Sequence, residues 1–329
     1  MIQNRFLKMF EILDEDEEGR PCPMTFVAIS PNVKKVFTGS SGGLMKIFDL
    51  SMTEGLSVLH VLPGHDSVVT FVNFSSDGHK VATSCLDCKL KIWDVDRGGN
   101  AINTFEDKHE IRGCFFSPDG TFLCGAMDNG VVELFDIATG QRVMTFGNHS
   151  GRVQCVCFAP NGKYICSGGV DGLVKIWGIQ DSAAKETFTG HENTDITSVC
   201  YSADGGEVCT TGGDGSIKLW GGKRGAELMS FPGHEERIQA SKFSPLVKEE
   251  LAGVVTASIF DGTYRLWNNL TGTETVAFRH SSNYTCSLAF SPSGLKVENT
   301  PTPRIRLSPK PQTLYPEPPG FGSSKRRQR

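Results

Sequence analysis

The sequence has no uninterrupted apolar stretch of about 18 residues, the length that a helix needs to cross a bilayer. It has no excess of positive charge either. With 33 Lys and Arg against 37 Asp and Glu, the net charge is −4 and the pI near 6.1, so no global field supports non-specific nucleic-acid binding. Met1–Leu13 lacks an apolar core and a small-residue cleavage site, and is not expected to be a secretory leader. Cysteines at zinc spacing are also missing. Cys85-Leu86-Asp87-Cys88 is a lone CxxC with no second Cys/His pair to complete a site, and neither a metal nor another cofactor is expected. Tryptophan is scarce, at 4 in 329 residues, whereas glycine is abundant at 37. A chain of this length outgrows one two-layer core, and so many glycines imply many tight turns between short strands.

The aromatics give a period. Phe48, Trp93, Phe135, Trp177, Trp220 and Trp267 return at spacings of 42 to 47. Six residues before each stands a turn position, occupied by Gly42, Asp87, Asn129, Asp171, Asp214 and Asp261. Thirteen residues before that turn come the apolar anchors Ile29, Phe74, Phe116, Phe158 and Tyr201. The sixth anchor, Phe243, is eighteen away, across extra residues at Leu246–Leu251. Five residues upstream of the anchors lie Met24, Val69, Ile111, Val153, Ile196 and Ile238. Four positions holding register through six copies identify an internal repeat. Several of the 11 cysteines share its phase: Cys124, Cys166 and Cys209 lie five residues before a turn, and Cys157 and Cys200 each precede an anchor. Recurrence at one structural position reads as small buried side chains, reduced, in an intracellular protein.

Within a copy, runs such as Phe71–Phe74, Lys80–Thr83, Leu90–Trp93 and Ile102–Phe105 are separated by Asp77-Gly78, Asp87 and Arg97-Gly98-Gly99. Short alternating runs split by such turns are antiparallel strands joined by hairpins. Four strands per copy of ~42 residues describe one blade of a β-propeller. Gly64-His65, Gly190-His191 and Gly233-His234 ahead of the first strand, with Trp-Asp or its variants closing the third, resemble the WD40-repeat family over residues 20 to 292. The expected fold is all-β, a WD40-type propeller of seven four-stranded blades whose degenerate last blade is closed by an N-terminal strand.

In that family, the Gly-His histidine, a second-strand hydroxyl, the turn Asp and the Trp form a hydrogen-bonded chain within each blade. The resemblance implies His65–Thr83–Asp87–Trp93, His149–Ser167–Asp171–Trp177 and His191–Thr210–Asp214–Trp220. A hydrolytic triad is the competing interpretation of such His/Asp/hydroxyl sets, and repetition argues against it, because an enzyme needs one site. Blades 1 and 3 depart from the pattern through Gly42 and Phe48, and through Gly125, Asn129 and Phe135; they are expected to be the softest. His109 is too close to Phe116 to be placed in a network.

His280 and Phe290–Gly294 open a seventh copy in phase, but Pro303 and Pro309 stand where its turn and tryptophan belong. Proline is excluded from central strands. Residues 1–19 are expected to be an N-terminal strand and acidic linker, 20–298 the propeller, and 299–329 a Pro-rich, basic-ended disordered tail. Arg5–Leu13 is the candidate closing strand, with Leu295–Glu298 and Arg304–Leu307 beside it.

Propellers bind through loops on their faces. Six residues before each anchor, at the rim of the central channel, stand Pro23, Val68, Glu110, Arg152, Asp195, Arg237 and Tyr284. Arg152 and Arg237 are suited to hold a carboxylate or phosphate, and Phe260 is an apolar anchor beside them. The expected function is a non-catalytic protein–protein scaffold, a subunit of an intracellular hetero-complex, cytoplasmic or nuclear, with no membrane and no direct nucleic-acid contact. One rival is a ubiquitin-ligase substrate receptor, although Trp93-Asp94-Val95-Asp96-Arg97 places the adaptor-docking arginine one residue late. Another is an RNA-associated subunit, which requires a basic face.

Overall fold

The structure is a computed structural model that describes residues 24–279 apart from 33, 51–56, 63, 182, 245–252 and 259, together with 11–12, 14–15, 21–22 and 306–307. The side chains of 11–12, 14–15, 21–25, 27, 278–279 and 306–307 are not among those described. Six four-stranded antiparallel sheets follow one another in chain order. Blade 2 shows the plan, with strands Val69–Phe74, Lys80–Cys85, Lys89–Asp94 and Asn103–Glu106. The first strands of the others are Met24–Ile29, Ile111–Phe116, Val153–Phe158, Ile196–Tyr201 and Ala240–Phe243. These first strands pack on one another in succession from blade 1 to blade 6, while each fourth strand is an outer edge of its sheet.

The five-residue spacing in the first strand conflicts with an ordinary strand, where an odd offset puts two side chains on opposite faces. A β-bulge resolves the conflict. The register shifts between Met24 and Phe26, Val69 and Phe71, Ile111 and Gly113, Val153 and Cys155, and Ile196 and Ser198. One extra residue re-phases the strand, so Val69, Val72 and Phe74 are all buried in the core, whereas Thr70, Phe71 and Asn73 are only half-buried.

The cores lie between blades. Phe37 and Ile47 of blade 1 pack with Val72, Val81 and Trp93 of blade 2, and the same arrangement recurs through blade 5 against blade 6. Val255, Ala257, Tyr264 and Leu266 of blade 6 form a cluster with no other blade among the described residues. Each blade thus completes its core only with its neighbour.

The seventh blade is a correction to the sequence expectation. The described residues form six blades; 280–305, which open the seventh copy, lie outside them. Of Arg5–Leu13, only Glu11–Ile12 is described, paired in parallel with Arg306–Leu307. Asp14–Glu15 pairs with Pro21–Cys22. Neither pair joins a four-stranded sheet, and a parallel pair is not a blade ladder. The expected tail, 299–329, lies outside the described residues except for 306–307.

Between the second and third strands, five blades turn through a left-handed glycine: Gly43, Gly130, Gly172, Gly215 and Gly262, with φ between 70° and 87°. At four of them the missing Cβ makes room for the next segment of chain. A Cβ on Gly43, Gly130, Gly172 or Gly215 would lie 2.3–2.5 Å from the carbonyl oxygen of His65, His149, His191 or His234. Blade 2 has Cys88 there, at φ 65°. The blade that follows it, blade 3, has no histidine loop in that register. Left-handed backbone costs a non-glycine residue roughly 1–2 kcal/mol, and glycine restores about half of that to the unfolded chain. Cys88→Gly is therefore expected to stabilise the protein by about 0.5–1 kcal/mol, read as a higher urea midpoint at unchanged slope. A lower midpoint would mean that the Cys88 side chain holds the interface between blades 2 and 3.

Candidate partner-binding site at the channel mouth

Buried hydroxyls tie the strands of a blade to the loop before its first strand. In blade 2 the Trp93 indole N–H donates to Thr83 Oγ1 at 2.9 Å, and Thr83 Oγ1 is 2.8 Å from His65 Nε2. The hydroxyl, already an acceptor, gives its own proton to Nε2. That leaves Nδ1–H to donate to Asp87 Oδ2 at 2.8 Å, so the network fixes a neutral tautomer. The loop closes too, as Asp87 accepts the Asp66 N–H and the Lys89 N–H. Blade 4 repeats this with His149, Ser167, Asp171 and Trp177 at 2.8–3.1 Å.

Two adjustments to the sequence expectation follow. In blade 5, Trp220 and His191 meet at Thr210, but His191 Nδ1 bonds Ser216 Oγ at 2.7 Å and stands 3.7 Å from Asp214; Ser216 in turn donates to Asp214. A serine relays the contact. Blade 6 has a full network that fixed offsets miss, namely His234, Thr256, Asp261 and Trp267 at 2.7–2.9 Å. Its turn is one residue longer, so Thr256 precedes Trp267 by 11 rather than 10 positions.

The third-strand cation two residues before the aromatic adds to the lock. Lys91 reaches Gly64 O, and Lys175 reaches Asn148 O at 2.8 Å; each ammonium lies 5.8–5.9 Å from its Trp ring. Blade 3 reverses this charge with Glu133. There Arg142 on the fourth strand supplies the cation, bonding Glu133 Oε1 and approaching Asp107 Oδ2 at 3.5 Å.

At the rim, the position six before the anchor is structurally equivalent across blades. The carbonyls of Val68, Glu110, Arg152 and Asp195 accept the N–H of Leu86, Asp128, Val170 and Gly213 at 2.9–3.1 Å, and Arg237 O accepts from Ser258 Oγ. Their side chains differ in what they meet. Arg237 donates to both oxygens of Asp195 at 2.8 and 2.7 Å, and Gln154 adds a third bond at 3.2 Å. Burial alone would raise the Asp195 carboxyl, but Arg237 and Gln154 more than offset it and hold it below the usual carboxylate range. Glu110 accepts from Arg112. Arg152 has no carboxylate partner among the described residues, and its Nε is buried without an acceptor. Arg237 is thus paired internally with Asp195, whereas Arg152 is not paired with a carboxylate among the described residues. Val68 is half-buried, and Phe260 stands 63% exposed on the blade 6 turn. Tyr284 lies outside the described residues.

His65, Cys85 and Asp87 bring three donor atoms within 4.8 Å of one another. Both imidazole nitrogens already have partners, and burial pushes the Cys85 thiol up to about 12, so this group is a packed lock and not a preformed metal centre. Cys88 is half-buried. No described helix is long and apolar enough to cross a membrane.

The WD domain, G-beta repeat family matches residues 56–94, 99–136, 140–178 and 183–221. The chain is 32% identical to telomerase protein component 1 of Rattus norvegicus over 117 residues, 36% of this chain and 4% of that protein. It is 33% identical to nuclear distribution protein PAC1 of Coccidioides posadasii over 100 residues, 28% of this chain and 21% of that one. Against the U3 small nucleolar RNA-associated protein 15 homolog of Xenopus laevis the identity is 30% over 114 residues, covering 34% of this chain and 21% of the relative. The matches thus span no more than about a fifth of these relatives' lengths.

Thr83→Val should orphan both His65 Nε2 and Trp93 Nε1 at constant volume, costing about 2–4 kcal/mol in urea unfolding. A loss below about 0.5 kcal/mol would show that the hydroxyl is not the joint. Burial, opposed by the acids, lowers the pKa of His65, His149, His191 and His234 from 6.5. Their contribution is therefore complete above pH 6.5 and is lost as the pH falls through the lower folded values. A unit change in melting temperature on acidification should accordingly be smaller in Thr83→Val, where one lock is already broken.

Proposed function

This chain belongs to the WD40-repeat β-propeller family, and from that premise we propose that it is a non-catalytic interaction scaffold. It acts as a WD-repeat subunit of a larger intracellular hetero-complex, cytoplasmic or nuclear, that grips partner proteins by its propeller face and channel mouth. The observation that carries this reading is the unequal pairing at the rim. Arg237 and Asp195 neutralise each other, as do Arg112 and Glu110, while the Arg152 guanidinium has no carboxylate partner among the described residues. A partner's acidic side chain or phosphate would satisfy it, with the exposed Phe260 and the half-buried Val68 as apolar contacts on the same face. Catalysis has little to work with. Each lock hydroxyl is buried, and in blades 2, 4, 5 and 6 it already accepts from an indole N–H, which is a poor state for a nucleophile.

The test is capture of the tagged full chain from its native cells, beside Arg152→Glu and Arg237→Glu. Arg152→Glu should weaken specific partners about tenfold or more, the scale of one charge-assisted hydrogen bond, at unchanged melting temperature. Arg237→Glu should instead lower the melting temperature, because it leaves Asp195 unpaired. Identical partner sets for wild type and Arg152→Glu would remove the mouth from the account.

The names of two relatives, a telomerase protein component and a U3 small nucleolar RNA-associated protein, favour a second reading as a ribonucleoprotein subunit that contacts protein, not RNA. Partners that persist after nuclease treatment support it, and partners lost with the RNA oppose it.

A further inference from the structure

Blade 3 holds a buried carboxylate, Glu133, at a position where the other blades carry a cation. Counting four residues back from the first-strand apolar position gives His65, His149 and His234 in blades 2, 4 and 6, and Asp107 in blade 3. Two residues before the aromatic, the cations Lys46, Lys91, Lys175, Lys218 and Arg265 stand in five blades, and Glu133 in the third. The partner on the fourth strand is inverted with it. Lys218 meets Glu227 and Arg265 meets Glu274, but Glu133 meets Arg142, each pair nine residues apart.

The inversion is incompletely balanced. Two carboxylates, Glu133 and Asp107, share one guanidinium, whose side chain is 49% exposed whereas that of Glu133 is 4% exposed. Glu133 Oε2 is buried with no hydrogen-bond partner. The titratable and charged groups around Glu133 are Asp107 and His109 from the preceding loop and Arg142 from the fourth strand. Asp107 accepts from the backbone N–H of Lys108 and His109, and pairs with His109 Nδ1 at 2.9 Å. The loop it organises leads straight to Glu110 and Arg112 at the mouth.

We propose that Glu133 is a proton-binding site and that proton uptake on its orphaned Oε2 latches the 107–110 loop of the channel mouth. An atom closed to solvent and lacking a donor accommodates a proton where a partner's side chain or a larger cation has no entry. With Glu133 ionised, Arg142 is divided between two carboxylates. With Glu133 neutral, Arg142 is released to Asp107, and the loop is held more firmly. Burial, reinforced by Asp107, raises the Glu133 carboxyl above its ordinary 4.5. A raised folded pKa contributes stability that is complete below the unfolded value and is lost as the pH rises through the folded one. Blade 3 therefore tightens on acidification, while the histidine locks of the other blades loosen.

The experiment follows the Glu133 carboxyl carbon by NMR in the ¹³C-labelled full chain, and the exchange protection of the amides of Asp107 and Asp128, bonded to Cys88 O and Glu110 O. Glu133 should titrate above 4.5. Protection should rise as the pH falls through the folded-state value that this titration gives for Glu133, by at most about tenfold per pH unit for one proton. Glu133→Gln, which mimics the neutral acid, should be protected above and below that value with no slope, and His109→Gln should keep the slope. Titration of Glu133 at or below its ordinary value overturns the proposal, as does a slope that survives Glu133→Gln or vanishes in His109→Gln. Should Glu133→Gln fail to fold, the carboxyl titration of the wild type decides alone.

Discussion

A single hydroxyl per blade carries more of this structure than its size suggests. Thr83, Ser167, Thr210 and Thr256 each sit where an indole N–H from the third strand and an imidazole nitrogen from the loop before the first strand converge. One oxygen accepts from the tryptophan and donates to the histidine. It thereby ties the blade's second and third strands to the loop that leads into its first. Buried polar networks of this kind are costly when one member is missing and rigid when all are satisfied. The histidine's own carbonyl then seats against the left-handed glycine of the preceding blade's turn, so the lock inside one blade also sets its spacing from the next.

The rim inherits that rigidity. Its side chains project from residues whose carbonyls are pinned by the turn between the second and third strands, which makes the mouth a fixed frame carrying variable chemistry. Partner recognition by such a frame needs little reorganisation. Blade 3 is the exception, because a cluster of Asp107, His109, Glu133 and Arg142 stands where the histidine–hydroxyl network would be. The frame is therefore uniform around most of the mouth and electrostatically distinct at Glu110 and Arg112.

Much of this was legible in the sequence because the repeat fixes phase. Six turns and six aromatics in register located the six described blades, and the residues that the repeat aligned in blades 2 and 4 are joined by hydrogen bonds. The misses have physical causes. The blade 6 lock escaped because one extra turn residue moved Thr256 off the common offset. Ser216 was invisible as a relay because a serine after the turn Asp has no signature of its own. The bulge in the first strand was implied by an odd spacing, yet only the pairing register displays it. The engagement of Arg237 by Asp195 could not be read at all, since it joins equivalent positions of neighbouring blades, 42 residues apart. The reversal at Glu133 was present in the repeat alignment as a single acid among five bases, and the exposed partner Arg142 hid its meaning. The expected seventh blade rested on an opening motif whose later positions are proline, and the described residues stop at six blades.

The central claim is that the hydroxyl lock sets how firmly each blade is held. Native-state hydrogen exchange, resolved blade by blade across the second and third strands, tests it most directly. The account predicts that these strands in blades 2, 4, 5 and 6 open only near the global unfolding free energy, and that those of blade 3 open at distinctly lower cost at neutral pH. Protection in blade 3 equal to that in blade 4 would contradict it.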